Sequence, residues 1–447
     1  MPLFDRSALN PQVRPREVFA WSMYDFANSG YTTVILTAVF NAYFVGVLAA
    51  NAGWATLAWT LTLALSSLLI MLTAPAIGAW ADAHGAKKRL LAVSTVACVL
   101  STAALAWAQP GLLWLAALLI IVSNYSFSIG ETLNAAFLPE LARPEAMGKV
   151  SGWGWSFGYF GGMLTLGLSL AWVMHAQGQG QAATDFVPVT ALITAAVFGI
   201  ASLPMFVMLR ERARPRAAAP AAGAGVLASI GGSLSQLRRN WQAMDGFPDF
   251  SRLLWCAVSY QAGISVVIAL AAIYAEQVMG FVQAQTMMLV FLVNIAAAVG
   301  AFGFGYVQDR IGHRPALAVT LVGWIVMVLL AGLGRSVALF WLAAVFAGLC
   351  MGSSQSAGRA MAGLFAPRSQ AAEFFGLWAF ATRLAAVIGP LTYGLVTWVS
   401  SGNHRVAILS TGVFFLVGLW LLRKIDPARG QATALRVDLP GSVVISR

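Results

Sequence analysis

Four ionisable side chains interrupt long apolar runs of this 447-residue chain: Asp25, Glu131, Arg359 and Arg383. A charge in hydrocarbon is costly, so such residues usually face a water-filled cavity or a partner of opposite sign. The chemistry open to them is recognition of a charged solute or carriage of a proton. Bond making is not indicated. The sequence offers no Ser/His/Asp set, no metal-ligand cluster and no Walker-type phosphate loop. Cys98, Cys256 and Cys350 lie in apolar runs at unrelated spacings, which fits packing residues and not a disulfide framework. No enzyme, cofactor, metal or ATP-driven pump is expected.

Asp25, Glu131 and Arg383 fall well inside their runs, whereas Arg359 is about a turn and a half from a run's end, where it is expected to snorkel to the interface. Asn28, Asn134 and Gln355 are uncharged, and interhelical hydrogen bonding suits them as well as solute contact does. The candidate solute or proton pathway is therefore Asp25, Asn28, Glu131, Asn134, Gln355 and Arg383. Trp153, Trp155 and Trp378 read as packing or interfacial anchors, and His175 and His404 as solvated span ends.

A second set of polar residues occurs twice, 227 positions apart, each time just after a long apolar run. The first copy is Gly78-Ala-Trp-Ala-Asp82-Ala83-His-Gly85-Ala-Lys87-Lys88, and the second is Gly305-Tyr-Val-Gln-Asp309-Arg310-Ile-Gly312-His-Arg314. Gly78 and Gly305 would let neighbouring helices approach closely. Asp82 and Asp309 could accept hydrogen bonds from a helix N-terminus of the other half, where the dipole favours an anion. The cations could pair with acids such as Glu140 or Glu373. Such duplication implies two homologous membrane halves, a common plan among secondary transporters. At an offset of 228, Gly148 also falls on Gly376, Gly162 on Pro390 and Glu131 on Arg359.

The elements that must position these residues follow from composition. With 59% hydrophobic and 10% charged residues, the chain has twelve apolar segments of spanning length: 18–46, 54–80, 88–108, 111–138, 149–175, 186–209, 251–275, 283–307, 314–334, 337–364, 372–399 and 404–423. The expected fold is an all-α polytopic membrane protein with two pseudo-symmetric six-helix bundles. It divides into an N-terminal segment (1–17), a first bundle (18–209), a linker (210–250), a second bundle (251–423) and a tail (424–447) without a detectable motif. In the linker, Leu227, Ile230, Leu234, Leu237 and Trp241 recur at helical spacing and predict an amphipathic surface helix. With both ends on one side, all 27 Lys and Arg except Arg335, Arg383 and Arg405 fall on that side, which the positive-inside rule makes cytoplasmic. The net charge of +11 is therefore orientation and attraction to lipid headgroups, not a nucleic-acid footprint. The polar first 17 residues carry no cleavable signal, so the first span would direct insertion.

The duplicated Gly-x-x-x-Asp-x-x-Gly-x-[Lys/Arg] loop resembles the signature of the major facilitator superfamily, in which it latches the cytoplasmic side closed. Ala83 stands where that family usually has a cation. Trp21-Ser-Met-Tyr24-Asp25-Phe-Ala-Asn28-Ser29-Gly-Tyr31 resembles the first-helix signature of one branch, which includes fungal vacuolar amino-acid effluxers and many uncharacterised bacterial proteins. Asn134-Ala-Ala-Phe-Leu-Pro139-Glu140 with Gly148-Lys-Val-Ser-Gly152-Trp-Gly-Trp-Ser-Phe-Gly158 resembles the same branch. So does Gln355-Ser-Ala-Gly-Arg359 with Glu373-Phe-Phe-Gly376 and Gly389-Pro390. The branch usually has Ser-Arg-Ser where this chain has Ala357-Gly358-Arg359-Ala360, and a Lys near Arg383. The resemblance spans essentially the whole chain and implies a transporter of the bacterial plasma membrane, working as a monomer.

The expected function is secondary or facilitated transport of a small polar solute, such as an amino acid, by alternating access, with a proton as a candidate coupling ion. The alternative is a sensor or scaffold that keeps the fold but moves nothing. Intramembrane charges of both signs favour transport, and a large soluble domain would have favoured a scaffold.

Overall fold

In a bilayer a backbone must satisfy its own hydrogen bonds, which leaves helices or closed barrels, and uninterrupted apolar runs of about 20 residues select helices. The computed structural model describes residues 4–50, 52, 54–212, 244–281 and 283–438; the linker helix expected over 227–241 lies outside them. Among the described residues twelve helices are long and apolar enough to cross a membrane. They are α1 (Pro15–Leu48), α2 (Ala55–His84), α3 (Lys87–Ala104), α4 (Leu113–Ala135), α5 (Met147–Gly178) and α6 (Ala183–Met208), then α7 (Pro248–Met279), α8 (Gln283–Ile311), α9 (His313–Leu333), α10 (Val337–Phe365), α11 (Ala371–Val399) and α12 (His404–Leu422). The tail forms a thirteenth, α13 (Pro427–Val437), capped by Asp426, which accepts from the amides of Ala428 and Arg429. α13 docks on the second bundle, where Gly430 lies against Phe365 and Arg429 forks onto Asp249 at 2.5 and 2.6 Å. Leu57, Leu61, Leu65 and Leu68 of α2 show the apolar outer surface, each about half exposed.

The two six-helix bundles meet along α2 against α11 and α5 against α8. Glycines make both seams possible. A Cβ at Gly305 would lie 2.7 Å from the Gly148 carbonyl oxygen, and one at Gly376 would lie 2.7 Å from that of Ala74. Gly152 faces Ala301, and Gly78 faces Ala372, in the same way. The second glycine of each loop motif has a different job. Gly85 (φ 59°) and Gly312 (φ 92°) turn the chain between consecutive helices in backbone conformations that L side chains rarely adopt.

α1 is not uniform. It winds as an α-helix to Tyr31 and then as a π-helix over Thr32–Ala38 and again over Phe44–Leu48. Wider turns of this kind are frequent at functional sites. Here the hydroxyls of Thr32 and Thr33 donate to the Ser29 carbonyl, and that of Thr37 to the Thr32 carbonyl.

Candidate functional site

Between the bundles lies a cavity of about 800 Å³. Its α1 wall runs from Asp25 through Asn28, Thr32, Leu36 and Thr37 to Asn41, away from the end that carries both loop motifs. Even at the α-helical rise of 1.5 Å per residue that wall is at most roughly 24 Å long, and the wider π turns over Thr32–Ala38 shorten it. Glu131, Gln355 and Arg383 also line it, so five of the six candidate pathway residues meet in one space. Arg359 and Trp155 line it too, against the sequence expectation for each. A second groove of about 910 Å³, past Glu145, His313 and Arg314 at the motif end, does not reach the intramembrane charges.

Arg359 does not snorkel. It is buried, and its Nη1 donates to Asp25 Oδ2 at 2.7 Å, its Nε to Ser151 Oγ at 3.1 Å and its Nη2 to the Ser151 carbonyl at 2.8 Å. Its guanidinium also lies 4.8 Å from the Trp21 ring and 5.3 Å from that of Trp155. The energetic reason is plain: a guanidinium with three charge-assisted bonds and aromatic faces needs no water. Asn134 departs from expectation in another way. It is fully buried behind Asp25, donates to Asp25 Oδ1 at 2.9 Å, and takes the Trp21 indole N–H on its carbonyl at 2.8 Å. It orients the carboxylate and does not touch the cavity.

Glu131 and Arg383 are arranged more loosely. Arg383 crosses from α11 to donate to Ser128 Oγ of α4 at 2.5 Å. Ser128 lies one turn before Glu131 on the same helix face, a spacing that could have marked it from sequence. Among the described residues no hydrogen bond reaches the Glu131 carboxyl. The charges divide by origin: both acids come from the first bundle and both arginines from the second. Gln355, meanwhile, accepts from Gln261 at 2.7 Å within the second bundle.

At the motif end each motif aspartate meets a helix N-terminus of the opposite bundle. Asp82 accepts from the Glu373 amide of α11 at 2.9 Å, and Asp309 from the Gly148 and Lys149 amides of α5 at 2.9 and 3.0 Å. Lys87 is fully buried and pairs with Glu140, with Asp82 Oδ1 3.9 Å away. Lys88 donates to the Leu209 carbonyl at 2.6 Å, while Arg310 and Arg314 are exposed. His175 is exposed as expected, but His404 is half-buried against the Tyr393 hydroxyl at 2.9 Å.

Residues the sequence did not single out tie the start of the linker down. Glu17 accepts from the Arg210 amide and from Arg212 Nη2 at 3.2 and 2.8 Å. Glu211 accepts from the amides of Lys87 and Lys88 at 2.7 and 3.1 Å. Burial pushes the Glu211 carboxyl above its ordinary range, against the pull of those two amides.

Residues 55–435 match the model of the family described as "Vacuole effluxer Atg22 like". The chain belongs to that family. A Bacillus subtilis (strain 168) protein, described as an uncharacterised MFS-type transporter, YxiO, is 27% identical over 413 residues, covering 90% of this chain and 93% of its own. Autophagy-related protein 22-1 of Penicillium rubens is 27% identical over 196 residues, 40% of this chain and 33% of that protein. Among solved structures, the human organic anion transporter MFSD10 (TM-score 0.68, 18% identity) covers 91% of this chain and 99% of its own. The proton:xylose symporter XylE (TM-score 0.73, 15% identity) covers 95% and 98%. At those identities the likeness establishes the major facilitator fold. The Atg22-like chain is thus a multi-pass membrane transporter of the major facilitator kind, and not an enzyme.

Proposed function

We propose that this protein moves a small solute bearing both an ammonium and a carboxylate, of which an amino acid is the simplest, by alternating access of two bundles (18–209 and 251–423). The carrying observation is that Glu131 from one bundle and Arg383 from the other line one cavity, with the Glu131 carboxyl accepting no hydrogen bond from the described residues. A zwitterion bridging such a pair would draw the bundles together, which couples binding to closure. The basic residues gathered at the motif end support a cytoplasmic location for it and for both termini. The cavity then opens away from the cytoplasm, and the duplicated Asp contacts act as latches on the closed side. The Bacillus relative supports a bacterial inner-membrane location. A proton as coupling ion is consistent with the solved neighbour XylE, itself described as a proton symporter.

The test is uptake of labelled amino acids into reconstituted vesicles by wild type, Glu131→Gln and Arg383→Ala at matched protein level. Each variant is expected to lose tenfold or more in initial rate. Wild-type rates with unchanged pH dependence in both would place the solute elsewhere.

A further inference from the structure

The two acid–arginine sets inside the membrane are unequal, and the inequality has a physical meaning. Every nitrogen of the Arg359 guanidinium is engaged, one on Asp25 and two on Ser151, at 2.7–3.1 Å. Both oxygens of Asp25 are engaged as well, one by Arg359 and one by Asn134. The pair is nearly closed to water, with side-chain exposures of 8% and 10%. With each guanidinium nitrogen and each carboxylate oxygen already holding a partner, the pair has fewer free donors and acceptors for a solute than Glu131, whose carboxyl accepts no hydrogen bond among the described residues. The space itself is shaped for the pair: a Cβ on Gly154 would collide with Asp25 Oδ2, with Arg359 Nη2 at 2.5 Å and with Trp21 at 2.7 Å.

Arg359 belongs to α10, whereas Asp25, Ser151, Asn134 and Gly154 belong to α1, α5 and α4 of the other bundle. Beside the ion pair, the Ser151 hydroxyl donates to the Ser356 carbonyl of α10 at 2.9 Å, again across the bundles. These bonds form the floor of the cavity, between its open end and the motif end.

We propose that the Asp25–Arg359 pair is the inner gate of the transport cycle, a cross-bundle ion pair that parts whenever the motif end opens, leaving Glu131 and Arg383 to meet the solute. The assignment rests on the alternating-access reading. A pair linking two bodies that separate cannot be a static strut. Once parted, both charges would face a water-filled cavity opening to the motif end, where solvation replaces the lost bonds. Trp155 supplies the link to occupancy. It lines the cavity, lies over the Arg359 guanidinium, and its buried indole N–H has no hydrogen-bond partner among the described residues. A solute that engages Trp155 therefore touches the gate.

The experiment reads opening at the motif end directly, without solute. A Cβ at Gly363 of α10 meets Leu138 Cδ2 and Met147 Sδ of the opposite bundle at 3.4 Å, so a cysteine there is covered while the bundles are closed. In full-length protein with the three native cysteines replaced by alanine, Gly363→Cys is labelled with a maleimide in vesicles, in backgrounds Asp25→Asn, Arg359→Gln and both. Each single variant should label at least tenfold faster than wild type, and the double variant no faster than the faster single one, because both remove the same bond. Arg359→Lys keeps the charge but loses the fork and should fall between Arg359→Gln and wild type, which separates gating from misfolding. Wild-type labelling in the single variants, or effects that multiply in the double variant, would overturn the gate. Labelling needs no transported solute, so failure of the amino-acid assignment would appear in vesicle uptake and leave this result standing.

Discussion

The two copies of the loop motif share their glycines and aspartates yet hold the bundles by different means. Asp309 spends both oxygens on backbone amides at the start of α5, and the cations around it, Arg310 and Arg314, are exposed. Asp82 takes one amide from α11 and sits within a buried ionic cluster made by Lys87 and Glu140. The position directly after the aspartate is Ala83 in one copy and an exposed arginine in the other, so that position is not what anchors either loop. The buried cation in the first copy is five residues after the aspartate, where the second copy has the exposed Arg314. A duplicated motif thus preserves the helix-terminus contact, which geometry dictates, and lets the surrounding charges diverge.

If this contrast is right, Lys87 is the most sensitive residue of either loop. Its ammonium is fully buried, 5.3 Å from the Phe137 ring centre, and its removal takes from the buried Glu140 the cation it pairs with. Lys87→Met should cost about 3–5 kcal/mol of unfolding free energy, the usual penalty for leaving a buried charge uncompensated. Arg314→Met, at the equivalent place in the second copy, should stay within about 0.5 kcal/mol, as exposed substitutions do. Thermal and denaturant unfolding of the two purified variants gives the comparison. Equal losses would mean that the second copy carries a hidden ionic role.

The aspartates come next. Asn keeps one acceptor oxygen and loses the charge, so Asp82→Asn can retain the bond from the Glu373 amide, which uses one oxygen, while Asp309→Asn must give up one of its two amides. A charge-assisted hydrogen bond of this kind contributes about 1.5–3 kcal/mol, and the loss falls on the closed state alone. Labelling of Gly363→Cys should therefore rise in both variants and more in Asp309→Asn. The reverse order would show that the Lys87 cluster, and not the amide count, sets the strength of the latch.

How much of this could be read from the chain depends on how local the cause is. The spans were legible because twenty apolar residues have few alternatives, and the motif contacts because a positive-φ glycine and a helix end fix the aspartate's place within a few residues. Arg359 was misplaced because its depth alone suggested the interface, whereas its direction is set by Asp25 and Ser151, 334 and 208 positions away. Asn134 shares a helix face with Glu131 by spacing, yet α1 packs on that end of α4, so one residue faces the cavity and the other is buried. Trp155 could not be told from Trp153 by sequence. Two residues apart on α5, they point about 200° apart at 3.6 residues per turn, and one lines the cavity while the other donates to the Tyr306 hydroxyl across the bundle seam.

The smallest expected effect distinguishes the two loops by pH. The first amides of α3 are capped by Glu211, whose carboxyl burial holds above its ordinary value of 4.5, whereas among the described residues no carboxylate caps the first amides of α9. A carboxyl with a raised pKa binds its proton more tightly in the folded chain than in the unfolded one. Its contribution to stability is therefore fully present below pH 4.5 and is lost as pH rises through the raised value. Against Glu211→Gln, which has no proton to lose and keeps one acceptor oxygen, the wild type should lose relative stability as pH is raised from 4.5 into the neutral range. Parallel melting curves of the two proteins in detergent across that range provide the check. A wild type that instead gains on the variant with rising pH would mean that the amides of Lys87 and Lys88 outweigh burial, making Glu211 an ionised cap and the linker's anchor strongest in the charged state.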